Sequence, residues 1–190
     1  MNKPKLLLHS CCAPCSSSVL ERLADSYNIT IYYYNPNIDT KIEFLRRAEE
    51  LQKLKALKIP FQIVTEPYNP TDYDQAIQGL ENLGEGSARC RACYSLRLEQ
   101  TAKYAKSHNF DIFTTTLSVS PHKNPLWLAE IGTKLSEKYQ VPYLTEDFKK
   151  KDGYKRSLDL SKQLNLYRQT YCGCKYSKKE SKERRIKPLT

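Results

Sequence analysis

Hydrophobic residues along the chain form short apolar runs that alternate with longer segments of helical periodicity. Residues 6–9 and 29–34 are short runs rich in leucine, isoleucine and tyrosine, and each predicts a buried strand. Residues 41–57 place apolar side chains at helical spacing, which predicts an amphipathic helix. The same pattern predicts further strands at residues 61–64, 111–115 and 141–144 and further helices at residues 16–26, 72–78, 93–106, 125–139 and 152–164.

Strands that alternate with helices predict an α/β fold, in which a parallel sheet is covered by helices on both faces. In such sheets, ligands bind beyond the carboxyl ends of the strands. The loop after the first strand, residues 10–15, is therefore expected at the active site. The loops at residues 35–39 and 116–122 are expected to open onto the same edge.

The predicted domain organisation is a single α/β catalytic domain over residues 1–174, followed by a basic C-terminal tail at residues 175–190. Within the domain, residues 65–93 are predicted as a loop excursion because they carry prolines and glycines and few apolar positions. The tail is almost continuously charged up to residue 187, which predicts a mobile or surface-laid segment.

Composition and charge narrow the class of protein. The chain has 190 residues, of which 39% are hydrophobic and 27% charged, as is typical of a globular protein. No apolar run approaches the ~20 residues that span a bilayer, and the N-terminus lacks the long apolar region of a signal peptide. We therefore expect a cytoplasmic protein without a membrane partner. The net charge of +10 favours contact with a polyanion such as nucleic acid, although a positive surface also serves solubility alone.

The seven cysteines fall into three groups, and none is isolated. Clustered cysteines without a secretory signal favour metal binding or redox chemistry over structural disulfides. A [4Fe–4S] cluster takes four thiolates, so three ligands would remain for a second metal or an exchangeable position. A structural zinc site would use four sulfurs and leave the loop at residues 10–15 unexplained. The groups are Cys11, Cys12 and Cys15, then Cys90 and Cys93, then Cys172 and Cys174.

Three phosphate-binding signatures are missing from the sequence. Neither a Gly-x-Gly-x-x-Gly motif nor a Gly-x-x-x-x-Gly-Lys-Ser/Thr loop occurs, and a Ser-Gly-Gly loop is absent as well. Cysteines occupy the loop after the first strand, where such a motif would stand. ATP-dependent thiolation is therefore not the expected reaction.

Several sequence blocks together resemble the cobalamin-independent epoxyqueuosine reductase family, in the same order and over nearly the whole chain up to the basic tail. The blocks are residues 8–15 (LHSCCAPC), 34–38 (YNPNI), 89–94 (RCRACY) with Arg97 and Leu98, 114–123 (TTTLSVSPHK), 167–169 (YRQ) and 171–174 (YCGC). The resemblance implies a fold of the adenine-nucleotide α-hydrolase (HUP-like) type. It also implies a [4Fe–4S] cluster beside a separately coordinated iron, both held by the seven cysteines. Because other members can carry Asp at the position of Cys15, this residue is favoured as a ligand of the extra iron, and the rest of the partition stays open.

The implied reaction is the two-electron removal of the epoxide oxygen of epoxyqueuosine at the wobble position of certain tRNAs, which yields queuosine and completes its biosynthesis. An unidentified donor would supply the electrons. Candidate proton donors are His9, Tyr33, Tyr34 and Tyr94, with a satisfied core histidine as the alternative for His9.

Residues on the predicted ligand edge and in the tail are candidates for contact with the tRNA. Turn geometry is the alternative for Asn35 and Asn37, and a solvated surface is the alternative for each arginine or lysine. Candidate substrate ligands are Asn35, Asn37, Thr116, Ser120, His122 and Arg168; candidate phosphate ligands are Arg46, Arg89, Arg91, Arg97, Lys123 and Arg168; candidate tRNA contacts in the tail are Lys175, Lys178, Lys179, Lys182, Arg184, Arg185 and Lys187.

Two other classes of protein compete with this interpretation. A zinc-stabilised nucleic-acid-binding module would be colourless and without redox activity. A thiol oxidoreductase that uses Cys90 and Cys93 as a redox pair would be metal-free. Neither class explains three cysteine groups, one of them at the mouth of a parallel sheet.

Overall fold

A computed structural model describes residues 3–186 of the chain, with side chains through residue 184. Its centre is a parallel four-stranded sheet in the order β3-β2-β1-β4. The strands are β1 (Lys5–His9), β2 (Asn28–Tyr33), β3 (Phe61–Thr65) and β4 (Ile112–Thr115). The helices are α1 (Ala13–Leu23), α2 (Lys41–Glu50), α3 (Pro70–Ala76), α4 (Ala88–Ser107), α5 (Pro125–Tyr139), α6 (Gly153–Gln163) and α7 (Lys175–Ile186), with 3-10 helices at Leu51–Leu57 and Thr116–Val119.

Side chains that alternate along β1 supply two separate core layers. Leu6 and Leu8 pack in the layer that contains Leu20 of α1, whereas Leu7 packs in the layer that contains Leu98 of α4. Successive residues of a strand point to opposite faces, so β1 is buried on both sides. This arrangement confirms the predicted parallel sheet with helices on both faces.

The strand order reverses beside β1. β2 and β3 follow on one side of it, and the chain crosses to place β4 on the other side. Such a switch point opens a crevice at the carboxyl end of the sheet, which is where ligands bind in this class of fold. The loop after β1 therefore lies at the expected position.

The predicted fifth strand at residues 141–144 does not form. In the part of the chain that the structure describes, this segment makes one isolated bridge, between Phe113 and Tyr143. Pro142 has no N–H to donate to a ladder, so only its carbonyl takes part, accepting from the amide of Phe113 at 3.0 Å. The sheet accordingly has four strands among the described residues.

Besides α3, which begins at Pro70 rather than residue 72, two helices begin earlier than the sequence predicted, and one changes its form. α1 begins at Ala13 rather than residue 16, and α4 begins at Ala88 rather than residue 93. The predicted helix at residues 41–57 is α-helical only to Glu50 and continues as a 3-10 helix. The earlier starts carry cysteines into the first turns of both helices.

Residues 175–186 form α7, which lies on the surface of the domain. Lys175 pairs with Asp74 at 3.1 Å and Lys178 pairs with Asp39 at 2.8 Å. Ser177, also on α7, is buried against the domain. Residues 187–190 and the side chain of Arg185 lie outside the described residues. None of the helices described from residue 3 to 186 is long and apolar enough to cross a membrane.

Candidate metal centre

The first thiol group, Cys11, Cys12 and Cys15, lies where β1 passes into α1. The three sulfur atoms all lie within 4.8 Å of one another. Cys12 is the N-cap residue of α1 and Pro14 stands in its first turn, a position that suits proline because no amide donor is needed there. Cys12 and Cys15 are three residues apart, so the first turn brings their side chains to one face.

Negative charge concentrates on one sulfur of this group. The pKa of Cys11 lies well below its usual value, because the thiols of Cys12 and Cys15 hydrogen-bond to its sulfur. The same hydrogen bonds raise the pKa of Cys12 to about 11 and raise that of Cys15 as well. A thiolate at the N-terminus of α1 is also favoured by the helix dipole. These shifts favour ionisation of Cys11 before the other two thiols, and a thiolate is the form of cysteine that binds metals.

The second thiol group, Cys90, Cys93, Cys172 and Cys174, joins α4 to the segment before α7. Cys90 and Cys93 lie one turn apart near the start of α4, and Cys93 shares a buried cluster with Cys174. Burial raises the pKa of Cys90 and Cys93, the latter to about 12, and the nearby sulfurs of Cys172 and Cys174 add to the rise. Four thiols from two distant segments thus converge on one region.

Gly173 shapes the turn between the two C-terminal cysteines. Its φ angle is 136°, in the region that favours glycine, and its carbonyl accepts from the amide of Asp39 at 3.0 Å. A Cβ atom at this position would stand 3.2 Å from Arg47 Nη1 and 3.2 Å from Asn37 Nδ2. The glycine therefore allows Cys172 and Cys174 to pack closely against the loop after β2.

Two buried cations border the thiols. Lys123 Nζ lies 3.4 Å from Cys172 Sγ. Burial opposes the charged form of Lys123, but the sulfurs of Cys172 and Cys11 more than offset it, so its pKa lies above the usual value. Arg97 donates to Asn35 Oδ1 at 2.6 Å and is likewise buried. Their burial does not fit the alternative of solvated surface groups, and since Lys123 lines the cleft described below, phosphate binding stays a prediction.

His9 is fully buried and held from two sides. Its Nδ1 shares a hydrogen bond with the Thr115 hydroxyl at 2.8 Å, and its Nε2 lies 3.2 Å from Tyr34 O and 3.3 Å from Arg97 Nε. Burial, and then the charge of Arg97, lower the pKa of His9 to about 3. The ring is therefore neutral at neutral pH, and these contacts fit the alternative of a satisfied core histidine.

The predicted tyrosine proton donors lie inside the fold. Tyr33 donates its hydroxyl proton to Phe44 O at 2.9 Å, and Tyr34 donates to Asp72 Oδ2 at 2.8 Å. Tyr94 belongs to α4 and packs in the core, and burial raises its pKa. None of these three side chains lines the cleft described next.

A cleft of about 300 Å³ opens over the first thiol group. Cys172 of the second group also reaches it, as do three predicted substrate ligands, Ser120, His122 and Arg168. The other three predicted substrate ligands, Asn35, Asn37 and Thr116, are buried and do not line it. Asn35 instead donates from Nδ2 to Ser10 O at 2.9 Å and so holds the start of the cysteine loop in place.

Sequence reasoning missed several groups that line the cleft. Tyr154 and Ser157 come from α6, where they are three residues apart and so share a face, and Gln169 and Tyr171 come from the segment that follows. Tyr154 and Ser157 carry no motif of their own. Their only signal in the sequence is helical spacing within residues 152–164, which does not reveal that α6 packs against α1.

The predicted tRNA contacts on α7 divide into two sets. Lys175, Lys178 and Arg184 form ion pairs with acidic residues of the domain. Lys179 and Lys182 are exposed. Arg184 also lines the cleft, so α7 connects the thiol site to the basic surface.

The donor set fits a thiolate-bound metal. All seven cysteines are free thiols; the first group lines the cleft, and Cys172 of the second group reaches it. Thiolates at the N-terminus of a helix and beside buried cations are stabilised in the form that binds iron or zinc. Fold and site together define an α/β protein of the HUP-like type with clustered thiols at the switch point of its sheet.

The chain belongs to the epoxyqueuosine reductase QueH family, whose family model matches residues 6–180. It is 40% identical to the epoxyqueuosine reductase QueH of Streptococcus pyogenes over 182 residues, which cover 93% of this chain and 71% of the relative. It is 35% identical to the QueH of Thermotoga maritima over 182 residues, which cover 94% and 93% of the two chains. These enzymes are oxidoreductases by name.

Two solved structures share the fold at low sequence identity. The U34-tRNA thiolase NcsA from Methanococcus maripaludis, solved with its [4Fe–4S] cluster, has a TM-score of 0.56 at 15% identity, covering 96% of this chain and 65% of that one. A predicted subunit of tRNA methyltransferase from Methanocaldococcus jannaschii has a TM-score of 0.51 at 14% identity, covering 83% and 74%. The HUP-like fold predicted from the sequence is thereby confirmed.

Proposed function

We propose that this protein reduces epoxyqueuosine in tRNA to queuosine, the last step of queuosine biosynthesis. The reaction consumes two electrons and two protons, releases the epoxide oxygen as water and restores a carbon–carbon double bond. The observation that carries the proposal is a close group of three thiols at a cleft that Cys172 also lines, in a chain of the QueH family. The tRNA substrate implies a cytoplasmic location.

A [4Fe–4S] cluster and an additional iron are the proposed cofactors. The seven free thiols match the four ligands of such a cluster plus three for an iron with an open position. When bound, these groups would supply electrons one at a time and a Lewis acid for the epoxide oxygen.

The residues of the cleft would hold the nucleoside and deliver protons. Ser120, His122 and Arg168 offer polar and charged groups around the opening. The proton that releases the oxygen must come from a group that reaches the cleft. Tyr154 is the proposed donor, because the hydroxyl of Tyr171, which also lines the cleft, already donates to Asp39 Oδ1 at 3.1 Å.

The tRNA would approach across α7. Its exposed lysines, Lys179 and Lys182, would contact backbone phosphates without reading sequence, while the wobble base would be splayed out of the anticodon loop into the cleft. The electron donor is proposed to be a separate, unidentified reductant.

The test is anaerobic purification followed by a single-turnover assay. We expect a brown protein with acid-labile sulfide and more than ~4 iron atoms per chain. Mixed with a chemical reductant and tRNA bearing epoxyqueuosine, it should yield a nucleoside lighter by one oxygen atom, whereas Cys172→Ser should not. A colourless, sulfide-free protein that holds only zinc after anaerobic reconstitution would overturn the proposal and favour the nucleic-acid-binding module.

A further inference from the structure

We propose that Lys123 and Arg97 are the counter-charges of the thiolate–metal centre and that they raise its reduction potential. The inference rests on the proposed function, since it assumes that a redox-active centre occupies the thiols. It assigns to two side chains a positioning role that acts through the metal ligands rather than by contact with the tRNA.

Lys123 is enclosed beside the thiols. Its side chain is 9% exposed, and Nζ lies 3.4 Å from Cys172 Sγ at the wall of the cleft. Among residues 3–184, whose side chains the structure describes, Lys123 forms no salt bridge with a carboxylate. The side-chain hydrogen bond of Lys123 goes from Nζ to the sulfur of Cys172.

Arg97 is a second buried cation. It is 1% exposed, and its recorded hydrogen bonds go to the neutral groups Asn35 Oδ1 and His9 Nε2. It extends from the same face of α4 as Cys93, which lies four residues before it. Within the described side chains it too lacks a carboxylate partner.

The other deeply buried arginines of the described chain each form an ion pair with a carboxylate. Arg47 pairs with Glu43 at 2.7 Å, and Arg89 pairs with Glu180 at 2.8 Å. A buried charge is costly unless an opposite charge compensates it. The fold supplies a carboxylate for Arg47 and Arg89, but it places Lys123 against the Cys172 sulfur and gives Arg97 neutral hydrogen-bond partners. The missing negative charge must therefore come from the thiolates and the metal centre that they hold.

This arrangement has a direct consequence for electron transfer. Reduction adds a negative charge to the centre, and two fixed positive charges in a poorly solvated site stabilise the added charge. Removing one of them should shift the equilibrium toward the oxidised form. At a fixed potential we expect the ratio of reduced to oxidised centre to fall about tenfold, which for one electron corresponds to 59 mV.

The experiment is a redox titration of anaerobically purified protein, followed by the visible and electron paramagnetic resonance spectra of the centre. Lys123→Met removes the charge, and Lys123→Arg keeps it. Lys134→Met, which removes an exposed lysine of α5 paired with Glu130, is the matched control. Arg97→Gln and Arg97→Lys form a second, independent pair.

We expect a lower potential in Lys123→Met, recovery in Lys123→Arg and no change in Lys134→Met. Loss of the centre in Lys123→Met but not in Lys123→Arg, with both proteins folded, would equally support a required positive charge. An unchanged potential in Lys123→Met and Arg97→Gln would overturn the inference and leave the proposed function intact, as would equal loss of the centre in the charge-removing and charge-keeping variants. A wild-type protein without a redox-active centre would overturn the proposed function, and the inference with it.

Discussion

Arg89 in the first turn of α4 donates from Nη2 to the carboxylate of Glu180 on α7 at 2.8 Å. The arginine side chain is 3% exposed and the glutamate side chain is 26% exposed. The pair therefore fixes the C-terminal helix to the helix that carries Cys90 and Cys93. It also explains why a segment rich in lysine and arginine is held to the domain.

Replacing Glu180 by alanine should destabilise the protein, because it leaves Arg89 buried without its counter-charge. Breaking a fully buried pair costs about 3–5 kcal/mol, and the partial exposure of Glu180 reduces our expectation to about 2 kcal/mol. Urea denaturation measures the free energy of unfolding. Glu130→Ala, which removes an exposed partner of Arg91 and Lys134, is the control and should cost clearly less. Equal losses in the two variants would contradict the buried pair.

Gly173→Ala should destabilise the turn that carries Cys172 and Cys174. The φ angle of 136° is strained for alanine, and the new Cβ would crowd Arg47 and Asn37. Such strain costs on the order of 1–3 kcal/mol. Thermal unfolding measures the loss, and the iron content of the purified variant should fall with it.

Gly84→Ala is the control for that substitution. Gly84 has no positive φ, and no atom lies within 4 Å of a Cβ built on it. We expect its free energy of unfolding to lie within about 0.5 kcal/mol of the wild-type value, as is usual for surface substitutions. Equal free energies of unfolding for Gly173→Ala and Gly84→Ala would show that the positive φ angle and close packing of Gly173 do not contribute to stability.

Tyr154→Phe should slow the reaction without loss of metal. Tyr154 lines the cleft, and a well-placed general acid contributes about 100-fold or more to the rate. Single-turnover kinetics with epoxyqueuosine-bearing tRNA, alongside an iron determination, separates chemistry from cofactor content. Tyr33→Phe is the comparison, since the Tyr33 hydroxyl donates to Phe44 O inside the core. A rate loss in Tyr33→Phe alone would reverse the assignment.

The exposed lysines of α7 should control how tRNA affinity depends on salt. For each phosphate contact removed, the slope of log affinity against log salt should decrease by about 0.7–0.9. We expect the double substitution Lys179→Ala and Lys182→Ala to flatten the slope by roughly twice that amount. Lys138→Ala, whose lysine pairs with Glu99 at 2.7 Å on α4, should leave the slope unchanged. A flat salt response in the wild type would argue against this surface.

Much of the fold was predictable because local and global signals agree. α5 matches its predicted bounds, since Asn124 caps it and Pro125 occupies its first turn. α1 was placed too late because Pro14 resembles a loop residue, although proline is equally suited to the first turn of a helix. The segment around Pro142 resembles a strand in composition, but it lacks the amide that a ladder requires.

The site was predictable only in part. The clustering of the cysteines identified the seven thiols, because cysteines that are close in the sequence also lie close together in the fold. The burial of Lys123 could not be predicted, since a lysine beside His122 and Asn124 has the composition of a surface loop. Its role depends on Cys172, 49 residues away in sequence, and on the absence of a carboxylate among the described residues nearby. Such relations are set by packing and leave no local pattern.

The thiols that line the cleft come from both ends of the chain, from Cys11 in the first loop to Cys172 just before α7. During translation, the N-terminal cysteines leave the ribosome long before their C-terminal partners are made. All seven thiols are therefore present together only after residue 174 has been synthesised. A prematurely terminated copy that lacks Cys172 and Cys174 would keep the three thiols after β1 but not the complete set of proposed ligands.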